Sequence, residues 1–152
     1  MILVTGARGN VGREVVNLLL SKGEEVVAVT RHPATATLPD GVHVVVGDPS
    51  HPQTLAPLLR GVKTIFISPR ALGDSTAGAA TAELLKLVAE QGAQRVVALS
   101  AVTVEYGGGY QHFSDAFRAV EEAAKASRLQ WTILRCTDFA SNAMVHAAAF
   151  RN

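Results

Sequence analysis

The stretch Ile2-Leu3-Val4-Thr5-Gly6-Ala7-Arg8-Gly9-Asn10-Val11-Gly12 sets three glycines at GxxGxxG spacing between an apolar run and a helix-forming segment. Its β-favouring start reads as a strand, and the residues after it place Val11, Val15, Leu18 and Leu19 on one face at helical spacing. Between the two, Gly6 lets the chain turn sharply off the strand, Gly9 leaves room for a group that must approach backbone, and Gly12 lets the helix pack close to a sheet. The first N–H groups of such a helix lack intrahelical partners and lie at the positive end of its dipole, so the turn favours a phosphate. Turns also collect glycine for steric reasons alone. The strand before and the helix after are what make Gly6, Ala7, Arg8, Gly9, Asn10, Val11 and Gly12 read as a dinucleotide-phosphate cradle.

Outward from that turn, apolar β-rich runs recur at 2–4, 26–29, 42–46, 63–67, 95–99 and 131–134, with helical stretches expected near 11–21, 52–60, 77–91 and 114–127. This alternation predicts an α/β fold, a Rossmann-type doubly wound parallel sheet of about six strands with helices on both faces. Val42–Val46 and Thr64–Ile67 are continuously apolar, which predicts central strands covered on both sides. Gly23 and Gly92 stand where helices would end in left-handed caps. Gly107-Gly108-Gly109 predicts a mobile loop, and residues 138–150 a further short helix. With 152 residues, 48% of them hydrophobic, the chain reads as one domain over 1–152.

The remaining composition narrows the partners. A net charge of +1, with 14 basic residues scattered among 13 acidic ones, offers no basic stripe for nucleic acid. No apolar run reaches the ~20 residues of a membrane-spanning helix. A lone cysteine, Cys136, excludes an internal disulfide, and residues 1–12 carry no basic region before the first apolar run of the kind a secretory leader needs; both point to the cytoplasm. The histidines show no ligand spacing, so no metal is expected. The oligomeric state is not legible here.

Ligands of open α/β sheets lie beyond the carboxyl ends of the strands. The second strand ends Val29-Thr30-Arg31, where proteins preferring NAD carry an acid for the ribose 2′-hydroxyl; here a guanidinium suits a 2′-phosphate, and Arg8 could approach the same group. That pattern points to NADP(H) over NAD(H). After the third strand, Asp48 has two open roles, meeting the adenine amino group or capping the following segment. Ser68-Pro69-Arg70 and Ser100 close the fourth and fifth strands, where a nicotinamide ribose would lie.

Taken together, Thr5–Gly12, Thr30-Arg31, Gly47-Asp48-Pro49, Arg95–Ser100 and Ser127–Arg135 followed by Phe139 and Asn142 resemble the NmrA-like branch of the atypical short-chain dehydrogenase/reductase superfamily, along essentially the whole chain. The resemblance implies pyrophosphate binding by Gly6, Gly9, Asn10, Val11 and Gly12, 2′-phosphate binding by Arg31, adenine contact by Asp48, and Ser68 and Ser100 at the ribose–nicotinamide end. It also implies a C-terminal substrate-covering lobe that is not seen in this chain. Departures are as informative. The superfamily's YxxxK proton-donor pair is missing, because Tyr106 is followed four residues later by Tyr110 and Tyr110 by Ser114. Where NmrA-like members often carry His or Lys, this chain has Phe117, which shares a helical face with Phe113, Val120 and Ala124 and reads as core. Trp131 and Cys136 read as packing or inert residues. Tyr110 and His112 remain the candidates for meeting a substrate carbonyl.

Two functions follow as expectations. One is NADP(H)-dependent hydride transfer to a quinone or related carbonyl acceptor, in which the cofactor supplies the chemistry and the fold orients it. The other is a non-catalytic NAD(P) sensor whose occupied and empty states differ in affinity for a regulatory protein partner.

Overall fold

The structure, a computed structural model, describes residues 1–106, 111–137 and 139, excepting the side chains of residues 111 and 112. Six parallel strands form one sheet: β1 (Ile2–Val4), β2 (Val26–Thr30), β3 (His43–Val46), β4 (Thr64–Ile67), β5 (Arg95–Ala101) and β6 (Gln130–Cys136). Their order, β3-β2-β1-β4-β5-β6, is that of the doubly wound dinucleotide-binding sheet. The helices are α1 (Asn10–Ser21), α2 (Ala77–Glu90), the short α3 (Thr103–Tyr106) and α4 (Gln111–Ala126). The triple-glycine loop and the helix expected over 138–150 lie outside the described residues.

Side chains alternate across the sheet and build two cores. Leu3 pairs in register with Val27 and Ile65, and Ile65 with Val96, so these four share the face covered by Leu84, Leu85 and Val88 of α2 and Val120 and Ala124 of α4. Val4, Ala28 and Phe66 point the opposite way, onto Val16 of α1. Burial on both faces explains why β1, β2 and β4 read as continuous apolar runs.

Several expectations need correction. Val42–Val46 is not central: β3 is an edge strand paired to β2 alone, with Val46 61% exposed. Its apolar run is indistinguishable by composition from that of β4, which does lie between β1 and β5. The segment over 52–60 is a 3-10 helix, Pro52–Leu58, because Pro57 inside it has no N–H to donate and its ring crowds the preceding turn of an α-helix. On α1 Gly12 and Val16 are buried, and Val11, Val15 and Leu19 pack partly buried against the same core as expected, while Leu18 is exposed. Gly12 must face the sheet, and the helical period then carries Val16 inward and turns Leu18 out. Trp131 on the outer strand β6 is also half exposed.

The helix ends follow the expectation. Gly23 takes φ +76°, with its N–H donating to Leu20 O at 2.9 Å and that of Glu24 to Leu19 O at 3.1 Å, the paired bonds of a Schellman cap. Gly92 ends α2 in the same way, at φ +87°.

Candidate nucleotide site

A cleft of about 1260 Å³ opens at the carboxyl ends of β1, β2, β4 and β5, over the start of α1. At its floor, the buried Thr5 ties two strand ends together: its N–H and hydroxyl both donate to Phe66 O, and its Oγ1 accepts the Ser68 N–H at 2.9 Å. The next residue, Gly6, turns the chain at φ +66°, and a Cβ there would meet the Ser68 side chain at 2.7 Å. A Cβ on Gly12 would strike the carbonyl of Gly6. The turn is thus closed on itself by absent side chains, as a loop whose backbone must face a ligand requires. Gly9 caps α1 without any side-chain hydrogen bond, and the first turn of the helix holds no acidic residue. Its amides, left unsatisfied by local groups, and the helix dipole suit the diphosphate of a dinucleotide.

The charge of the cleft is one-sided. Arg8, Arg13, Arg31 and Arg70 line it, and among the described residues no aspartate or glutamate does. Arg8, Arg31 and Arg70 are exposed and have no hydrogen-bond or ion-pair partner among the described residues. Arg31 stands at the end of β2, where a dinucleotide's adenosine ribose would lie, and the acid that would favour a free 2′-hydroxyl there is absent.

Of the residues singled out from the sequence, Gly6, Ala7, Arg8, Gly9, Asn10, Val11, Gly12, Arg31, Ser68 and Ser100 all line this one cleft. Asp48 and Pro69 do not. Pro69 is buried, and its neighbours Ser68, Arg70 and Ala71 reach the surface instead. Asp48 closes its own turn ahead of the Pro52–Leu58 helix, whose N-cap is His51: its Oδ1 accepts from the Ser50 N–H at 2.9 Å and the Ser50 hydroxyl at 2.7 Å, while His51 Nδ1 lies 3.3 Å from Oδ2. Burial alone would raise this carboxyl. The hydrogen bonds from Ser50 and His51 and the charge of Arg31 outweigh burial and hold it below the ordinary carboxylate range. Pro49, not Asp48, is the residue of that turn that faces the cleft. Tyr110 and the side chain of His112 lie outside the described residues.

Ser100 has surroundings that sequence spacing could not show. Its buried hydroxyl donates to Glu121 Oε1 at 2.6 Å. Glu121, itself buried on α4, is gripped by Arg135 of β6 through Nε to Oε1 at 2.8 Å and NH2 to Oε2 at 2.7 Å, and by Lys125 Nζ at 3.1 Å. The Arg135 hydrogen bonds lower the Glu121 carboxyl to about 2 against the desolvation that would raise it, and Ser100 and Lys125 add to the effect. Glu121 conversely pushes the Arg135 guanidinium above its ordinary value. Arg135 also reaches Glu105 of α3 at 3.0 Å, so the network staples α3, α4, β5 and β6 around one serine. Phe117 is buried as expected, yet it also lines the cleft with Phe113, the two ring centroids 4.3 Å apart. Thr103 Oγ1, at the same end, is buried without a hydrogen-bond partner among the described residues.

Comparison with known proteins fits this geometry. A family model described as NAD(P)H-binding matches residues 6–148. The (4-alkanoyl-5-oxo-2,5-dihydrofuran-3-yl)methyl phosphate reductase of Streptomyces griseus is 32% identical over 155 aligned positions, covering 100% of this chain and 52% of its own length. The chain therefore spans about half of that relative. Among solved structures, an anaerobillin reductase from Escherichia coli O157:H7 is 25% identical with a TM-score of 0.74, over 88% of this chain and 71% of that one. The Citrobacter sp. triphenylmethane reductase complexed with NADP(H) shares the fold at 24% identity and a TM-score of 0.76, over 93% of this chain and 50% of that one. Among the described residues no helix is long and apolar enough to cross a membrane.

Proposed function

Because this chain belongs to the NAD(P)H-binding family, we propose that it binds NADP(H) in preference to NAD(H) and serves an NmrA-like reductase that transfers hydride to a quinone or related carbonyl acceptor. The observation that carries the preference is Arg31, exposed at the end of β2 with no hydrogen-bond or ion-pair partner among the described residues, in a cleft whose described lining holds arginines and no carboxylate. A 2′-phosphate there gains a charge-assisted, bidentate partner, with Arg8 as the second cation. The amides over Asn10–Gly12 take the diphosphate, Pro49 and the Asp48 turn flank the adenine end, and Ser68 and Ser100 face the nicotinamide end. When bound, the nicotinamide supplies the hydride.

Ser100 has a defined part in this reading. Its proton points at an ionised Glu121, so its oxygen is left to accept hydrogen bonds. It orients a donor such as the carboxamide or a ribose hydroxyl and does not protonate an acceptor. That suits acceptors whose reduction asks little of a protein acid, and Tyr110 and His112 stay the proposed contacts for the acceptor oxygen. The missing YxxxK pair also favours a second reading, a sensor whose partner affinity depends on NADP(H). Partner binding indifferent to the nucleotide would eliminate the sensor.

Calorimetric titration with NADPH and NADH tests the main reading. NADPH is expected to bind at least about ten-fold more tightly, the equivalent of one charge-assisted hydrogen bond. Equal affinities would overturn the preference, and no uptake of either would overturn nucleotide binding itself. Quinone-dependent loss of NADPH absorbance then separates enzyme from sensor.

A further inference from the structure

We propose that the half of the cleft beyond the glycine turn is built for a flat, unsaturated acceptor that carries an anionic group, with Arg70 as its anion contact. The inference rests on the nucleotide reading above and adds the class of the second ligand. Three observations support it independently.

The first is the position of the cations. Sheet order sets Arg31, after β2, and Arg70, after β4, on opposite sides of β1 and its turn. A dinucleotide phosphate carries its charge at the glycine turn and at the 2′-position near Arg31. Its nicotinamide half beyond the turn has no further anion. Arg70 is therefore a cation on the side where the cofactor offers it nothing, and it has no ion-pair partner among the described residues. The second observation is Thr103 Oγ1, buried at the cleft just past β5 with no hydrogen-bond partner among the described residues. A buried hydroxyl left unmatched is costly, and a rotation of the Thr103 side chain toward the cleft would let it donate to a carbonyl oxygen there. The third is the apolar wall. Phe113 is 39% exposed at the cleft and stacks on buried Phe117, which presents aromatic surface suited to a planar ring. The cleft, at about 1260 Å³, exceeds the roughly 300–1,000 Å³ typical of a single small-ligand site, leaving space for a second molecule.

The test uses two probes of one shape, 1,4-naphthoquinone and 1,4-naphthoquinone-2-sulfonate, titrated into protein saturated with NADP⁺ so that no turnover occurs. The sulfonate is expected to bind about ten-fold or more tighter than the neutral quinone. Arg70→Gln is expected to erase that difference while leaving affinity for NADPH within about two-fold, and Arg70→Lys to retain part of it, as a point charge without the planar fork. Thr103→Val is expected to weaken both probes alike. Equal binding of the two probes to the wild-type chain, or binding of neither, would overturn the proposal. A matching loss of NADPH affinity in Arg70→Gln would do the same, because it would assign Arg70 to the cofactor's diphosphate. Failure of the nucleotide reading shows separately, in the preliminary NADPH titration.

Discussion

Arg31 and Gly12 carry the most weight at the scale of single residues. Arg31 makes no hydrogen bond or ion pair with a described residue and acts only through its charge on Asp48, so replacing it perturbs a ligand more than the fold. Arg31→Ala is expected to lower NADPH affinity by about ten- to a hundred-fold, the range of a lost charge-assisted contact, and to leave NADH binding unchanged by calorimetry. Gly12 is the opposite case. A Cβ there meets the carbonyl of Gly6 and the backbone of Ala7, neither of which can swing aside like a flexible side chain. Gly12→Ala should cost about 1–3 kcal/mol in denaturant unfolding and abolish nucleotide uptake as the turn shifts. Both residues stood out in the sequence by position, Gly12 within the glycine turn and Arg31 at the end of the second strand. Asp48 was legible only as a pair of alternatives, and its bonds to Ser50 and His51 close a local turn without capping the helix that follows.

Helices and their ends give two further predictions. Gly23 has φ +76° and nothing within 4 Å of where a Cβ would stand, so Gly23→Ala isolates conformational strain from packing. A loss of about 1 kcal/mol is expected in denaturant unfolding, with no change in nucleotide affinity. The buried link between α4 and β6 depends on charge. Folding lowers the Glu121 carboxyl from its ordinary 4.5 to about 2, so its stabilisation is complete above pH 4.5 and is lost as pH falls toward 2. That shift corresponds to on the order of 3 kcal/mol. Glu121→Gln should therefore be less stable than wild type near neutrality and show a shallower acid loss between pH 5 and pH 2.5. Parallel acid profiles for the two would contradict the assignment. None of this network was visible beforehand: Ser100, Glu121 and Arg135 are separated by 21 and 14 positions, at no motif spacing.

At the scale of the whole molecule, one cleft gathers the carboxyl ends of the inner strands β2, β1, β4 and β5. A ligand held there by β1, β2, β4 and β5 together binds only the folded chain. NADPH at a hundred times its dissociation constant should add about 2.7 kcal/mol and raise the thermal midpoint by about 5–10 °C, and Arg31→Ala should reduce the NADPH shift to that of NADH. By itself the sequence determined the strand-turn-helix start, the alternation of strand and helix and the left-handed caps, because these depend on local sterics and on periodicity between near neighbours. The tertiary structure alone decided that Val42–Val46 forms an edge, that Val16 and not Leu18 faces the sheet, that Glu121 lies beneath Ser100, and that Arg70 faces the same cleft as Arg31. Each of those depends on strand order and on partners distant along the chain, and close packing resolves them only when the whole sheet is assembled.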